Sequence, residues 1–298
     1  MIMTFAKALL AASALALAAA CSHTPTPSSA AAAPATVEAA KVDTALQDAI
    51  AGAWRTPANV ARDSARKPVE ALKFWGLRPG MTVLELQPGG GWWTEILAPY
   101  ARATGGQYIA TAADLGNPDL PQAAKDGRAR FEARFADPAL YGTVKYVNFG
   151  AKSVGLGAPG SVDLVMNGRN IHNWMGAGVL DKVMSESFAV LKPGGVLAIE
   201  EHRNAPGTVQ DPKATSGYVT EAFVIAAAER AGFKLDARSE LYANPKDDRD
   251  HPFGVWTLQP VARTAPAGQP ANPAFDRTAF DAIGESDRMV LRFVKPKS

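Results

Sequence analysis

The sequence predicts an α/β fold: a mainly parallel sheet with helices on both faces and a last strand that runs antiparallel. Three observations carry this prediction. Short apolar runs of strand length alternate with longer segments of helical periodicity. The runs read as buried strands, as in a sheet covered on both sides. Between the last two strands there is no helix-length periodic segment, only a long Pro-rich insertion, so the final strand can return antiparallel.

The elements follow in order. "TALQDAIAGAW" has helical spacing at Leu46, Ile50 and Trp54. "DSARKPVEALKFWGL" puts Pro68 in a first turn, Val69, Leu72 and Phe74 on an apolar face, and Gly76 just past the end. "MTVLEL" is the first strand, and "WWTEILAPYAR" is a helix with Pro99 near its end. "GQYIATAA", "VKYVNF" and "SVDLVMN" are strands two to four. "GVLDKVMSESFAVL" has one apolar face, and "KPGG" then turns the chain into strand five, "VLAIEE". "EAFVIAAAERAGF" is a helix stopped by Gly232. "KLDARSELY" is strand six and "RMVLRFVKP" strand seven. No internal repeat is visible.

Ahead of the domain stands "MIMTFAKALLAASALALAAAC". It has one cation, Lys7, and an unbroken small and apolar run from Ala8 to Ala20. This has the form of an export signal, and the run is short for a bilayer span. Cys21, the only cysteine, follows Leu17-Ala18-Ala19-Ala20. That segment resembles a lipoprotein lipobox, with Ala18 where the usual residue is Leu. The resemblance implies a lipidated Cys21 at the mature N-terminus; plain secretion is the alternative. Ser22 in place of an Asp favours the outer membrane, so the expected location is periplasmic. With one cysteine no internal disulfide forms, and stability must come from the core. Residues 22–45 are rich in Ala, Pro, Ser and Thr, too poor in large apolar groups to fold, and read as a tether. The domain is expected over 46–298. At 47% hydrophobic, 20% charged and net charge +2, with no Lys/Arg block, the chain is an ordinary globular protein and not a nucleic-acid binder.

"ELQPGGGWWT" follows strand one, where an open parallel sheet holds its ligands. Gly89, Gly90 and Gly91 let the backbone approach a ligand closely. A dinucleotide loop needs G-x-G-x-x-G and an acid ending strand two. Here Thr94 takes the third glycine's place, and no acid occurs before Asp114. A nicotinamide oxidoreductase is therefore a distant reading.

With Glu85 ending the strand, followed by Gln87, Gly89 and Gly91, the chain resembles class I S-adenosylmethionine-dependent methyltransferases, with Gln87 in place of a first glycine. "SVDLVMN" and "LKPGGVLAIEE" match further segments of that family. More narrowly, "ARDSARKPVEAL", "PGGGWWTEILAPY", "RNIHNWM", "SGYVTEAFVIAAAERAGF" and "AIGESDRMVLRFVKP" are similar to a group of bacterial methyltransferases, over Trp54 to Pro296. The resemblance implies a Rossmann-like, seven-stranded methyltransferase sheet and S-adenosylmethionine as cofactor. It places Glu85, Gln87, Pro88, Gly89, Gly90, Gly91, Asp114, Asn148 and Asn167 at the cofactor. Two departures stand out: Ala112 lies where many members have an acid after strand two, and "NFGAKS" has none after strand three.

Methyl transfer needs alignment and, for many acceptors, a base. His172 in "RNIHNW" and His202 in "EEHR" follow strands four and five, whose ends are neighbours. His172 is the expected base or orienting residue, assisted by His202 or Glu201; each histidine could instead hold a loop. Arg169, Asn170, Asn173 and Trp174 are expected to line the acceptor pocket. Trp92 and Trp93 could stack on a ligand or serve as one core and one surface residue. Glu200, Glu201, His172 and His202 could meet at a metal, but no spacing specifies one and none is expected. His251 lies in the insertion, which either caps the pocket or is a solvated loop; His23 in the tether is expected to be inert. The expected activity is methyl transfer to a small-molecule acceptor. The alternative is a non-catalytic exported protein that binds a nucleoside-like ligand on the same fold.

Overall fold

The computed structural model of the protein describes residues 44–297. The signal segment, Cys21, His23 and the tether up to residue 43 lie outside the described residues. Among the described residues no helix is long and apolar enough to cross a membrane.

The described residues begin with helix α1 (44–50), followed by the short helices α2 (Pro57–Val60) and α3 (Asp63–Arg66) and by α4 (Pro68–Phe74). Pro68 occupies the first turn of α4, as its spacing predicted. Then come β1 (Thr82–Leu86), α5 (Thr94–Thr104), β2 (Gln107–Ala113), α6 (Gln122–Arg134), α7 (Pro138–Tyr141) and β3 (Lys145–Phe149). The second half holds β4 (Val162–Gly168), α8 (Ile171–Gly176), α9 (Leu180–Val190), β5 (Leu191–His202), α10 (Glu221–Arg230) and β6 (Lys234–Ser239). A short β7 (Pro252–Val255) and α11 (Thr278–Ile283) lie in the insertion before β8 (Arg288–Val294).

The seven-stranded sheet has the order β3-β2-β1-β4-β5-β8-β6. Neighbours from β3 to β5 pair parallel, while β8 pairs antiparallel with both β5 and β6. The predicted class, mainly parallel with an antiparallel last strand, is what forms. Alternation along the central strands explains the two covered faces. Val83, Leu164 and Met166 join α4 and α5 in one core through Leu72, Trp75, Ile96 and Tyr100. Leu84, Leu86 and Val165 point the other way, onto α9 and α10 through Val183, Met184, Val224 and Ala228.

The KPGG segment differs from the expectation of a turn before strand five. It lies within β5, where the pairing jumps from Val162↔Leu191 to Leu164↔Val196. One residue of β4 therefore faces a bulge of four on β5, with Gly194 at φ +79° making the bend. The helix α6 was not anticipated, because its face offers almost nothing apolar: none of its residues is buried.

The order of strands places β1 between β2 and β4, where the winding reverses. The chain leaves both β1 and β4 at the same edge, and the loops there form the cleft.

Candidate functional site

The loop after β1 owes its shape to backbone as much as to side chains. Gln87, Gly89 and Gly91 all have positive φ, at +46°, +57° and +80°. For a non-glycine residue this left-handed geometry costs about 1 kcal/mol, so Gln87 needs support. Its N–H donates to Thr111 Oγ1 at 2.7 Å, and its side-chain oxygen accepts from the buried indole N–H of Trp174. Gly91 is required sterically, since a Cβ there would sit 2.7 Å from the Phe135 ring. At Gly89 a Cβ would meet nothing within 4 Å, which leaves the open face of the loop free for a ligand.

Glu85 sits beneath this loop, 3 % exposed. It accepts hydrogen bonds from Thr94 Oγ1 at 3.1 Å and from the Tyr108 hydroxyl at 2.5 Å. Burial pushes its carboxyl up to about 7, against the pull of those two donors. The cleft above divides at Gln87, Pro88, Gly89 and Asn170, which line both compartments. One compartment, of about 400 Å³, is walled by Ala112, Ala113, Leu120, Phe131 and Phe149, with Arg128 at its side. The other, of about 300 Å³, is lined by Glu85, Arg169, His172 and His202 among others.

Not all the residues expected at the cofactor line these compartments. Asp114 is buried beside the larger one and caps its own turn, accepting from Gly116 N–H at 2.9 Å. Asn148 is exposed, and its side-chain oxygen accepts from Arg128 Nη1. Asn167 is fully buried at the end of β4, with both amide atoms lacking a hydrogen-bond partner.

The expected acceptor side comes together more closely. Asn170 donates to the backbone oxygens of Leu86, Gln87 and Gly168, each at 3.3 Å, and so ties the β4 loop to the β1 loop. Arg169 and Asn173 line the cleft. Trp174 does not; it is buried and holds Gln87. His172 is buried, with Nδ1 2.9 Å from Glu201 Oε1. The Glu201 carboxylate also accepts from the backbone N–H groups of Ile171 at 2.6 Å, His172 at 3.3 Å and His202 at 2.9 Å. Ringed by donors, it acts as an acceptor, so Nδ1 of His172 carries a hydrogen directed at it. The His202 ring lies 5.4 Å from that of His172, and its Nδ1 is 2.6 Å from Ser286 Oγ. Burial, with His172, Arg169 and Arg288 nearby, holds His202 well below the usual histidine range, hence neutral.

His172, Glu201 and His202 could present three ligand atoms to an ion, as could Asp247, Asp248 and His251. In the first group the Glu201 oxygens are already occupied by four donors. In the second, His251 donates to Asp247, which also accepts from the Tyr218 hydroxyl and from the N–H groups of Arg249 and Asp287. This buried network pins the insertion to the start of β8.

The insertion does cap the cleft: Val255, Trp256 and Leu258 are in its wall, and Trp256 lies 5.8 Å from His172. Trp92 and Trp93 are both 4 % exposed, so neither is the surface residue one of them was expected to be. They meet edge to face at 4.4 Å, and both reach the cleft wall. Arg62 and Arg66, before α4, also line the smaller compartment. Sequence reasoning missed them; the available signal was a pair of arginines four apart inside a segment that packs on the core.

Comparison with known proteins agrees with this geometry. Residues 84–199 match the family described as a methyltransferase domain. That stretch runs from within β1 into β5 and includes the glycine loop and the β4 loop. No curated protein matches the chain. Among solved structures, the [4+2]-cyclase SpnF is similar at 16% identity, with a TM-score of 0.52, covering 88% of this chain and 96% of that one. A SAM-dependent methyltransferase from Aquifex aeolicus is similar at 20% identity and TM-score 0.45, over 67% of this chain and 91% of that one. An arsenic(III) S-adenosylmethionine methyltransferase from Chlamydomonas reinhardtii is similar at 16% identity and TM-score 0.45, over 85% and 73%. Such identities bear on the fold alone, and a cyclase among them shows that the fold does not fix the reaction.

Proposed function

We propose that the protein is an S-adenosylmethionine-dependent methyltransferase acting on a small-molecule acceptor. The observation that carries this reading is the junction of the two compartments. An open glycine loop over Glu85 meets a histidine that lines the cleft and is held through Nδ1 by the buried Glu201.

The residues present suit the cofactor. The apolar walls of the larger compartment, with Phe131 and Phe149, suit a purine ring. Gly89 leaves room for close backbone approach, and Glu85 is an acceptor for ligand hydroxyl or ammonium groups once ionised. When bound, the cofactor supplies an electrophilic methyl group on a sulfonium. The protein's own work is to align the acceptor and remove its proton. His172 Nε2 is the base, with Nδ1–H held by Glu201, which fixes the tautomer and steadies the ring as it gains charge. His202, neutral and beside it, adds no repelling charge. A base held by a buried carboxylate is more than ligand binding requires, which favours turnover over the non-catalytic reading.

Titration calorimetry with S-adenosylmethionine, S-adenosylhomocysteine and NAD tests the cofactor. Saturable binding of the two sulfur compounds and not of NAD is expected; no binding of either at millimolar concentration would remove the reading.

We also propose that the enzyme works outside the cytosol, anchored through Cys21. Incorporation of labelled palmitate that is lost in Cys21→Ala is the expected result.

A further inference from the structure

The smaller compartment carries an imbalance of charge. At its far end Arg62, Arg66, Arg169 and Arg288 converge on only two carboxylates, Glu200 and Glu285. Arg288 takes the close contacts, 2.8 Å to Glu200 and 2.9 Å to Glu285, and Arg62 Nε lies 2.8 Å from Glu285. Arg66 and Arg169 make only long contacts, and Glu200 Oε2 and Glu285 Oε2 are likewise buried without a hydrogen bond, so four guanidiniums still face two carboxylates. Arg66 Nε is 3.8 Å from Glu285, Arg169 Nε is 3.6 Å from Glu200, and neither atom has a hydrogen-bond partner. Arg66 Nη2 has none either, although the residue is 2 % exposed and lines the cleft.

A buried guanidinium with unmade hydrogen bonds is costly to keep unless something completes it. The Trp92 ring, 4.7 Å from the Arg66 guanidinium carbon, offers its face but no acceptor. Arg55 and Arg134 nearby each have a close carboxylate, Asp63 at 2.5 Å and Glu95 respectively, whereas Arg66 has none closer than 3.8 Å. Crowding also registers on Arg62, which burial draws below the usual range, with Arg169 and Arg288 adding to the effect and Glu285 opposing it.

We propose that Arg62, Arg66 and Arg169 form an anion site in the acceptor half of the cleft, and that the methyl acceptor bears a carboxylate or phosphate seated on it. The assignment to the acceptor rests on the methyltransferase reading; the anion site does not. S-adenosylmethionine has one carboxylate but two cationic centres, the ammonium and the sulfonium. Alone it would add positive charge to a chamber already short of negative charge. An anionic acceptor corrects the balance, and the site lies in the compartment that holds His172. Planar guanidiniums match the geometry of both oxyanions.

The test is a titration with inorganic phosphate at constant ionic strength, read by calorimetry and by tryptophan fluorescence, since Trp92 stacks on Arg66. It is run on the protein alone and on protein saturated with S-adenosylhomocysteine. Saturable binding in both is expected, weakened at least tenfold by Arg66→Gln and by Arg169→Gln. Should Arg66→Gln fail to fold by circular dichroism, Arg169→Gln decides, because that side chain is partly exposed. If S-adenosylhomocysteine displaces phosphate but 5′-methylthioadenosine does not, the site holds the cofactor's own carboxylate and the acceptor assignment is overturned. If phosphate does not saturate, or both variants bind it as the parent does, the anion site itself is overturned. Failure of S-adenosylhomocysteine to bind would remove the cofactor reading while leaving the phosphate titration on the protein alone as the test of the site.

Discussion

Glu85→Gln should change the pH dependence of stability in a way no surface carboxylate would. The glutamate is buried among Thr94 and Tyr108, and burial lifts its carboxyl from 4.5 to about 7. The folded state therefore holds a proton that the unfolded chain has released over the interval between those values. Stability from this group is full below pH 4.5, falls as pH rises toward 7, and is flat above that. At about 1.4 kcal/mol per pH unit the loss is about 3 kcal/mol. Glutamine keeps an oxygen for the Tyr108 and Thr94 hydroxyls but does not titrate. Urea unfolding of both proteins between pH 4 and 8.5 isolates the effect, because other groups cancel in the difference. The parent should lose about 3 kcal/mol relative to the variant between pH 4.5 and 7. A difference that does not vary with pH would refute the reasoning. The same group links stability to function: if ionised Glu85 receives the cofactor, affinity for S-adenosylhomocysteine should rise from pH 6 to pH 7.5, and it should not in Glu85→Gln.

Glu201→Gln puts an NH₂ against groups that are all donors. Loss of at least one charge-assisted bond should cost about 2 kcal/mol in denaturant unfolding, and turnover should fall more steeply than cofactor affinity. His202 works in the opposite pH sense to Glu85: held neutral by burial, it should lower stability as pH falls below 6.5, and His202→Gln should remove that acid-side loss. Gly91→Ala meets Phe135 at 2.7 Å and demands φ +80°, so a melting-point drop equivalent to about 2–3 kcal/mol is expected. Gln87→Gly relieves the left-handed backbone but strands the Trp174 indole N–H; a net destabilisation of about 1 kcal/mol in urea unfolding is expected.

The sheet was readable because its strands are buried on both faces. Val83 and Leu84 face opposite cores, so "MTVLEL" shows as an apolar run whichever way it is turned. Helix α6 was invisible for the converse reason: a helix with no buried residue leaves no apolar period to detect. The glycine loop was legible as a loop, but Gln87's role was not. Its left-handed backbone and its bond to Trp174 depend on a residue 87 positions away. The His172–Glu201 pairing could be guessed from adjacent strand ends. The arginine end of the cleft could not, because Arg62 and Arg66 are brought there by the packing of short helices that carry no strong periodicity. The departures noted after strands two and three remain in the folded chain: no acid lines the larger compartment, and Asp114 is spent on its own turn.

The glycine loop over Glu85 is the proposed seat of a sulfonium cofactor. Calorimetric titration of the protein with S-adenosylhomocysteine at pH 7.5, repeated on Gly89→Val, tests it most directly. Saturable binding by the parent is expected, with a loss of at least tenfold in the variant, whose side chain fills the open face of the loop. Equal binding by both proteins, or none by the parent at millimolar ligand, would contradict it.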